Sequence, residues 1–354
     1  MPHKTLIQDY PHQIGGHCGS GAMRDLLHWH GLGWDGPPSE GLVFALGGAL
    51  GLSYVRSSAL FPPLYLVGRG ADFEIDLPRR LGGHVEVLTT DDPQEGWSWV
   101  RDDIDSGRPS LVWGDIAELP YLRVQMQMSR HDIVVIGYDE DAHVAFVVDN
   151  DRADVQSVPL ESLARARSST SFPEPTRHCT YRITWPSELP AIGDIAAAAF
   201  RQSAENLRQP SGASIADLTP ASGAEGLAAA GALAADIHTW TGLPDGEIEI
   251  LLFGLGAFIE KAGTGGGLFR RLLAEGCAEI ARLTGDPATA DLARVADCCA
   301  QVWTETARAG IQRDVDVRAR LDAVILSVNR LPEAEADLAE ALELASSSLA
   351  TANR

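Results

Sequence analysis

The chain has 354 residues, about twice the length of a typical domain, so the sequence predicts two domains. Its formal net charge of -21 argues against nucleic acid and anionic membranes as partners, because both bind basic surfaces. The start, MPHKTLIQDYPHQ, lacks the features of a signal peptide, and no later apolar stretch is long enough to span a bilayer. The five cysteines form no CxxC pair and no ladder of metal ligands, as is typical of a reducing compartment. We therefore expect a cytoplasmic protein with no metal and no cofactor.

The stretch at 15–31, GGHCGSGAMRDLLHWHG, predicts a helix that begins at a cysteine. Apolar residues recur at about helical spacing in its second half, and the glycines before them permit a tight turn. Cys18 is thereby placed at the helix N-terminus, where exposed N–H groups and the helix dipole favour thiolate over thiol. This position favours a nucleophile. The alternative is a small buried apolar residue, as many free cysteines are.

The next part of the chain predicts mixed α and β structure. A second helix is expected at 40–50, running into the glycine-rich GGALGLSY, which we expect to lie in the core. Short apolar runs predict strands at 64–67, 84–88 and 110–115, and amphipathic stretches lie around 73–81 and 97–104.

The run at 131–150, HDIVVIGYDEDAHVAFVVDN, predicts a β-hairpin with an acidic turn. His131 opens the first strand and Asp149 closes the second, so the hairpin brings them to the same end of the sheet. Direct pairing of 131 with 149, or a diagonal relation through 133, places both side chains on one face. A slip of one residue presents Asn150 instead. We expect Asp149 on the His131 face and an opposite, buried face made of Val144, Phe146 and Val148.

A helix at 160–167 and a strand at 179–184 complete the first unit. From position 192 the chain is rich in alanine and leucine with helical periodicity, and no strand is predicted. Breaks at 210–212, 242–245, 263–267, 285–287 and 331–332 divide this part into six helices. The predicted fold class is α+β, with a first domain at 1–187 followed by an all-α helical bundle at 188–354.

Three residue types in this order suit a cysteine-nucleophile site. Cys18 supplies the sulfur, His131 can take its proton, and Asp149 can accept the imidazole N–H and fix the tautomer. Taken singly, His131 is typical of a strand end and Asp149 of a turn. Together with a cysteine at a helix N-terminus they predict a cysteine-nucleophile site.

Four blocks resemble the N-terminal domain of the butirosin biosynthesis protein H family: HCGSGAMRDLLHWHGL, PSEGLVFALGGALGLSYV, HDIVVIGYDEDAHVAFVVDN and LESLARARSS. The resemblance covers roughly residues 12–185 and implies a papain-like cysteine fold related to bacteriocin-processing peptidases. The named member of the family is an acyltransferase that moves an aminoacyl group from a carrier-protein thioester onto an aminoglycoside amine. By this resemblance Cys18 is the nucleophile, His131 the general base and acid, and Asp149 the residue that orients the imidazole. The segment GTGGGLFRRLLAEG resembles the helical domain that often follows in such chains.

The oxyanion donor departs from the family pattern. Papain-like peptidases usually place a glutamine six residues before the cysteine, and here that position is His12, with Gln13 one residue closer. The backbone N–H of Cys18 is therefore a candidate donor, helped by His12, Gln13 or His17.

Two further patterns in the sequence have simple structural interpretations. The glycines at 263–267, before Arg270 and Arg271, favour a closely packed helix junction. The alternative is an anion site for the phosphopantetheine arm of a carrier protein, although the P-loop lysine is absent. Zinc at His12, His17 and Cys18 is not predicted, because the spacing matches no common structural site.

The predicted function is an acyltransferase of natural-product biosynthesis, in which an acyl-enzyme on Cys18 passes an acyl or aminoacyl group from a thioester to an amine or other acceptor. A first alternative is a cyclase that closes a ring in a polyketide or peptide product, such as a tetramate or macrolactam, through acid–base chemistry at His131. Further alternatives are a cysteine peptidase or amidohydrolase and a non-catalytic remnant. The expected partner is a small-molecule natural-product intermediate, and an acyl carrier protein and a second copy of the chain (a homodimer) are further candidates.

Overall fold

The computed structural model describes residues 4–70, 72–209 and 222–352. In chain order the elements are β1 (Lys4–Leu6), α1 (Cys18–Trp29), α2 (Glu40–Gly47), β2 (Leu50–Arg56), β3 (Leu64–Arg69), α3 (Phe73–Arg80), β4 (His84–Leu88), α4 (Pro93–Asp105), β5 (Ser110–Gly114), β6 (His131–Asp139), β7 (Val144–Val148), β8 (Gln156–Pro159), α5 (Leu160–Arg167), β9 (Thr180–Thr184), α6 (Ile192–Arg208), β10 (Ser222–Glu225), α7 (Leu227–Thr239), α8 (Asp245–Glu260), α9 (Arg270–Thr284), α10 (Pro287–Ile311), α11 (Val317–Val328) and α12 (Leu331–Ala352). Within the described ranges, no helix combines the length and the apolar character needed to cross a membrane.

The chain forms two compact units that interleave in sequence. The first comprises the described residues up to Pro38 together with Pro78–Leu189. The second comprises Ser39–Leu77 together with the described residues from Pro190 onward. The predicted division at 187/188 lies close to the later boundary, but it assigns 39–77 to the first domain. In the structure α2, β2 and β3 pack within the second unit instead.

The first unit is built on an antiparallel sheet in the order β4-β9-β5-β6-β7-β8, with β1 paired to the far end of β6. Successive residues of β5 and β6 are buried, which indicates that both faces of the central sheet are covered. Among the elements packed on this sheet, α1 contacts β6 and α5 contacts β5. This architecture agrees with the mixed α and β prediction, while the papain-like identity of the fold stays a prediction.

The hairpin of β6 and β7 adopts the diagonal register. Val134 pairs with Val148, so position 133 continues opposite 149. His131 and Asp149 therefore lie on the same face at the same end of the sheet, as one of the two expected registers requires.

The structure confirms the expected burial of β7 at Val148, which is buried, but not at the other two positions. Ala145 and Val147, on the Asp149 face, are fully buried, whereas Val144 and Phe146 on the opposite face are partly exposed. Alternation determines which residues share a face, but the depth of each face depends on what covers it. The sequence pattern alone therefore predicted the burial of Val148 but not the partial exposure of Val144 and Phe146.

The second unit is mainly helical, with α10 in contact with α8, α9, α11 and α12. It also contains a small antiparallel sheet in the order β10-β2-β3, which corrects the prediction that no strand follows position 192. Gly48 ends α2 in a left-handed conformation, with φ of 63°, and β2 begins two residues later. A break at 312–316 separates α10 from α11, so the described part of this region holds seven helices instead of six. The break expected at 210–212 lies outside the described residues.

A buried ion pair connects the segment 39–77 to the helices of the second unit. Arg270 at the start of α9 makes two hydrogen bonds of 2.8 Å to Glu335 on α12, and neither side chain is exposed. Arg270 also donates to the carbonyl oxygens of Gly51 on β2, at 2.9 Å, and Gly68 on β3, at 3.1 Å. Glu335 additionally accepts a hydrogen bond of 2.6 Å from Nε1 of Trp303. These contacts give a physical reason for the placement of β2 and β3 in this unit.

The glycines at 263–267 form a helix junction, as favoured above. The N–H of Gly267 donates to Oε1 of Glu260 at 3.2 Å, so an acidic side chain already lies at the loop. A Cβ at Gly267 would come within 2.7 Å of the backbone oxygen of Ala300, which explains the need for glycine there. Arg270 is occupied by Glu335, and Arg271 donates to a threonine hydroxyl. The arrangement argues against the alternative of an anion site.

Candidate active site

Cys18 is the first residue of α1, as the glycine-rich sequence predicts. His17 precedes it as the N-cap residue, and its Nδ1 accepts the backbone N–H of Ser20 at 3.1 Å. The first N–H groups of a helix have no acceptor within the helix, so the positive end of the helix dipole lies at Cys18. Cys18 as a whole residue is partly exposed.

The loop before α1 is held by two side chains from farther along the same helix. Arg24 donates to the carbonyl oxygens of Gln13, at 2.5 Å, and Ile14, at 3.1 Å. Asp25 accepts the backbone N–H of Gln13 at 3.3 Å and lies 2.8 Å from Nδ1 of His12. Arg24 and Asp25 are both buried, so these bonds form away from water.

Both ring nitrogens of His12 form hydrogen bonds that hold the loop before α1, so neither is available to an oxyanion. Its Nδ1 bonds to Asp25, and its Nε2 lies 2.7 Å from the carbonyl oxygen of Arg152. Burial lowers the pKa of His12, but the hydrogen bonds to Asp25 and to the Arg152 carbonyl raise it more, so the pKa lies above its ordinary value. The geometry therefore gives His12 a structural role and corrects its expected place as an oxyanion donor.

Gln13 and His17, the other two residues expected to assist the oxyanion donor, lie in different surroundings. Gln13 is exposed and holds the loop through its backbone N–H and carbonyl. His17 is buried beside Cys18, where it interacts with the sulfur. The backbone N–H of Cys18 stays the predicted oxyanion donor, with His17 as its neighbour.

His131 and Asp149 form a short, buried hydrogen bond. Nε2 of His131 lies 2.7 Å from Oδ2 of Asp149, which is 1% exposed. Gly114 on β5 pairs with His131, so no side chain occupies the neighbouring position on the strand. Because Nε2 is taken by Asp149, Nδ1 is the ring nitrogen available to Cys18, with which His131 interacts electrostatically. The structure thus brings together all three residues that the sequence predicted.

Tyr121 is a further member of the site that the sequence analysis missed. Its hydroxyl donates to Oδ2 of Asp149 at 2.7 Å. Burial and the charge of Asp149 raise the pKa of Tyr121, so the hydroxyl stays a neutral donor. Nη2 of Arg152 donates to the Tyr121 carbonyl at 2.7 Å and fixes this part of the loop. Tyr121 lies in an irregular segment, and no spacing in the sequence relates it to Asp149.

The electrostatics favour a thiolate–imidazolium pair. Burial opposes the thiolate, but the field of His17 and hydrogen bonds from His131 and His17 outweigh it, and the pKa of Cys18 lies well below its ordinary value. Burial also opposes charge on His131, yet the charge and hydrogen bond of Asp149 hold the pKa of His131 well above its usual range. Burial raises the pKa of Asp149, but His131 and Tyr121 lower it more, so Asp149 is ionised. Both shifts therefore favour the charged pair over the neutral one.

Asn150 connects the end of the hairpin to the loop that precedes the nucleophile. Its carbonyl oxygen accepts the N–H of Gly15 at 2.9 Å, and its Nδ2 donates to the Gly15 carbonyl at 3.1 Å. The slip that would turn Asn150 toward His131 is therefore not adopted. These bonds set the position of the base relative to the nucleophile through the backbone.

Comparison with known families matches residues 17–150 to "Butirosin biosynthesis protein H, N-terminal" and residues 161–342 to "Domain of unknown function (DUF4872)". The chain belongs to the DUF4872 family and carries a butirosin biosynthesis protein H N-terminal domain. The resemblance found in the sequence is thereby confirmed, and it is consistent with a role in natural-product biosynthesis. No curated protein matches the chain.

The match to the butirosin biosynthesis protein H N-terminal family contains Cys18, His131 and Asp149. It also spans 39–77, which pack in the second compact unit. The family match is therefore one continuous stretch of sequence, whereas the residues of that stretch are divided between the two compact units. The DUF4872 match begins within α5 and covers most of the helices of the second unit.

Within this family domain, Asp132 brings a second carboxyl group to the sulfur. Its Oδ2 lies 3.8 Å from Sγ of Cys18, and the side chain is buried. Asp132 is therefore a second titratable group at the sulfur, in addition to His131. The sequence analysis missed Asp132 because strand alternation places it on the face opposite His131.

The other cysteines contrast with Cys18. Cys179, Cys277 and Cys299 are buried. Burial raises the pKa of Cys277 and of Cys299, so both favour the thiol. Cys298 is exposed and lies on α10. Among the described residues, no histidine is recorded in contact with it. Chemistry through a thiolate is therefore expected at Cys18.

Proposed function

We propose that this member of the family is a cysteine-dependent acyltransferase of natural-product biosynthesis. One observation carries the proposal: Cys18 is the first residue of a helix and interacts electrostatically with His131, which is bonded at 2.7 Å to buried Asp149. A thiolate paired with an imidazolium is the activated form of a cysteine nucleophile. The proposed acyl donor is a thioester, such as one on a carrier protein, and the proposed acceptor is an amine on a small biosynthetic intermediate.

In the first half-reaction Sγ of Cys18 attacks the carbonyl carbon of the thioester, and the carbonyl electrons move to the oxygen. The N–H groups at the start of α1 stabilise this oxyanion. When the intermediate collapses, the bond between the carbonyl carbon and the donor sulfur breaks. His131 gives its proton to the departing thiolate, which leaves acyl-Cys18 and a neutral imidazole.

In the second half-reaction the acceptor nitrogen attacks the acyl carbon, and His131 takes a proton from that nitrogen as the C–N bond forms. The bond between the carbon and Sγ of Cys18 then breaks, which restores the thiolate and the imidazolium. Asp149 stabilises the imidazolium and keeps the ring oriented throughout. Water in place of the amine gives hydrolysis, so a transferase has to exclude it.

Intact-protein mass spectrometry tests the acyl-enzyme. We expect wild-type protein, incubated with acyl and aminoacyl thioesters of N-acetylcysteamine, to gain the mass of one acyl group at Cys18. Cys18→Ala is expected to gain none, and Cys298→Ala, which removes an exposed cysteine elsewhere, is expected to react like wild type. A folded wild-type protein without any adduct, or an equal adduct on Cys18→Ala, would contradict the proposal.

Asp132 favours a second candidate function, a cyclase. Its carboxyl group lies 3.8 Å from Sγ of Cys18 and adds a second proton-transfer group to His131, and the two can remove and return protons during a ring closure that needs no covalent intermediate. Cys18→Ala separates the two functions, because it abolishes acyl transfer and leaves acid–base cyclisation partly active. His131→Ala is expected to damage both.

A further inference from the structure

The first unit contains a cavity of about 280 Å³ that is separate from the Cys18 site. Its walls come from α4, α5 and the segment before β9, and they include Trp97, Leu160, Leu163, Ala164, Arg167 and His178. None of the residues of the Cys18 site lines it. The volume equals that of about nine waters at about 30 Å³ each, so it suits a small molecule.

Arg167 lines this cavity as a buried cation without an acidic partner in the described part of the chain. Glu161 also lines the cavity, but its carboxylate accepts a hydrogen bond of 2.8 Å from Arg165. Its Nη1 donates to the Gly96 carbonyl at 3.1 Å, and its Nη2 donates to the His178 carbonyl at 2.8 Å and to Oγ1 of Thr180 at 2.6 Å. Nε, by contrast, has no acceptor among the described residues. Burial lowers the pKa of Arg167 to about 10, so the guanidinium is still charged at neutral pH.

His178 lines the same cavity and is 2% exposed. Its Nε2 has no hydrogen-bond partner among the described residues. Burial, and then the charge of Arg167, lower the pKa of His178 to about 4, so the ring is neutral at neutral pH and can present an N–H. The ring is packed tightly against α4, because a Cβ at Gly96 would come within 2.5 Å of the His178 Cβ.

The two polar groups need a partner that the described protein does not provide. A buried guanidinium normally pairs with a carboxylate, because carbonyl oxygens supply hydrogen bonds without an opposite charge. Apolar walls with a few polar groups are typical of small-molecule sites. A ligand that satisfies both features has an anionic end and an apolar body.

We propose that this cavity binds a small carboxylate, with the carboxylate at Arg167 and His178 and the apolar body against Trp97, Leu160 and Leu163. The carboxylate accepts hydrogen bonds from Nε of Arg167 and Nε2 of His178 and supplies the missing negative charge. Binding involves no covalent step and is independent of acyl transfer at Cys18.

Equilibrium dialysis of the full chain with radiolabelled benzoate tests the proposal. We expect saturable binding of one benzoate per chain. Benzamide has the same shape without the charge, and inorganic phosphate has charge without an apolar body, so neither is expected to compete. No saturable binding, or competition by benzamide or phosphate as strong as by unlabelled benzoate, would overturn the proposal.

Variants at Ala164 test the location, since Arg167 itself holds three elements together and its loss threatens folding. Ala164→Phe fills the cavity and leaves both polar groups in place, so we expect the affinity for benzoate to fall about tenfold or more. Ala164→Ser is the matched control, which leaves the cavity open and is expected to bind like wild type. Unchanged binding in a folded Ala164→Phe variant would overturn the assignment to this cavity.

Discussion

At the scale of single residues, the charge of Asp149 determines the state of the site. Its carboxylate is buried and accepts hydrogen bonds from His131, Tyr121 and the backbone N–H of Asp151. In an environment of low dielectric constant, this charge stabilises the imidazolium far more than it would in water. The imidazolium in turn stabilises the Cys18 thiolate, so loss of the charge at Asp149 raises the pKa of the thiol.

Asp149→Asn keeps the size of the side chain and removes its charge. We expect the rate of acyl-adduct formation near neutral pH to fall about tenfold or more, because the imidazolium loses its partner. The measurement is the time course of the adduct by mass spectrometry. Asp151→Asn changes an exposed carboxylate two residues away and is expected to stay within about twofold of wild type. Equal rates for Asp149→Asn and wild type would contradict this role.

The same variant has a defined effect on stability. The pKa of Asp149 is lowered in the folded protein, so its carboxylate stabilises the fold at pH above the unfolded pKa of about 3.9. This contribution is lost as the pH falls through the lower, folded pKa. Urea unfolding is therefore expected to show a difference between wild type and Asp149→Asn that shrinks below about pH 4. A difference that grows on acidification would be inconsistent with an ionised Asp149.

At the scale of elements, α1 both presents the nucleophile and fixes the loop before it. Asp25→Asn tests this, because it weakens the acceptor shared by Arg24 and His12 and leaves buried positive charge uncompensated. We expect the free energy of unfolding, measured in urea, to fall by about 3 kcal/mol. Asp141→Asn, in the exposed hairpin turn, is the control and is expected to change it by less than about 0.5 kcal/mol. A similar small change in Asp25→Asn would show that the loop does not depend on this carboxylate.

Local patterns predicted the elements that carry the nucleophile and the base. The glycines before Cys18 and the apolar spacing after it predicted the start of α1, and strand alternation limited His131 to two possible partners. The diagonal register then selected Asp149. Each of these features depends on neighbours in sequence or on one hairpin, which is why the sequence alone could predict the start of α1 and the possible partners of His131.

Features that depend on distant parts of the chain were not predictable in this way. Tyr121 reaches Asp149 from an irregular loop, and Asp132 reaches the sulfur although alternation points it to the other face. His12 occupies the position where the family pattern expects an oxyanion donor, yet Asp25 and a distant carbonyl take both of its nitrogens. These contacts are decided by tertiary packing.

At the scale of the whole molecule, the interleaved units follow from charge buried among residues far apart in sequence. Arg270 and Glu335 are 65 positions apart, and Arg270 also bonds to carbonyl oxygens on β2 and β3. A buried ion pair is costly to break, because the remaining charge has no water around it. This pair therefore helps to hold 39–77 in the second unit, and no local pattern in the sequence indicates it.

Glu335→Gln leaves Arg270 without an opposite charge. We expect the free energy of unfolding of the full chain to fall by about 3–5 kcal/mol in urea. Glu333→Gln, an exposed position on the same helix, is the matched control and is expected to have little effect. Equal stability of the two variants would contradict a structural role for the ion pair.

The pH dependence of Cys18 alkylation by iodoacetamide, followed by peptide mass spectrometry, tests the central claim most directly. The thiolate reacts and the thiol does not, so the inflection of the rate reports the thiol pKa. We predict an inflection well below the ordinary thiol value of about 8.5, with a shift toward that value in His131→Ala. An inflection at or above about 8.5 in wild type, or one that His131→Ala leaves unchanged, would contradict an activated nucleophile at this site.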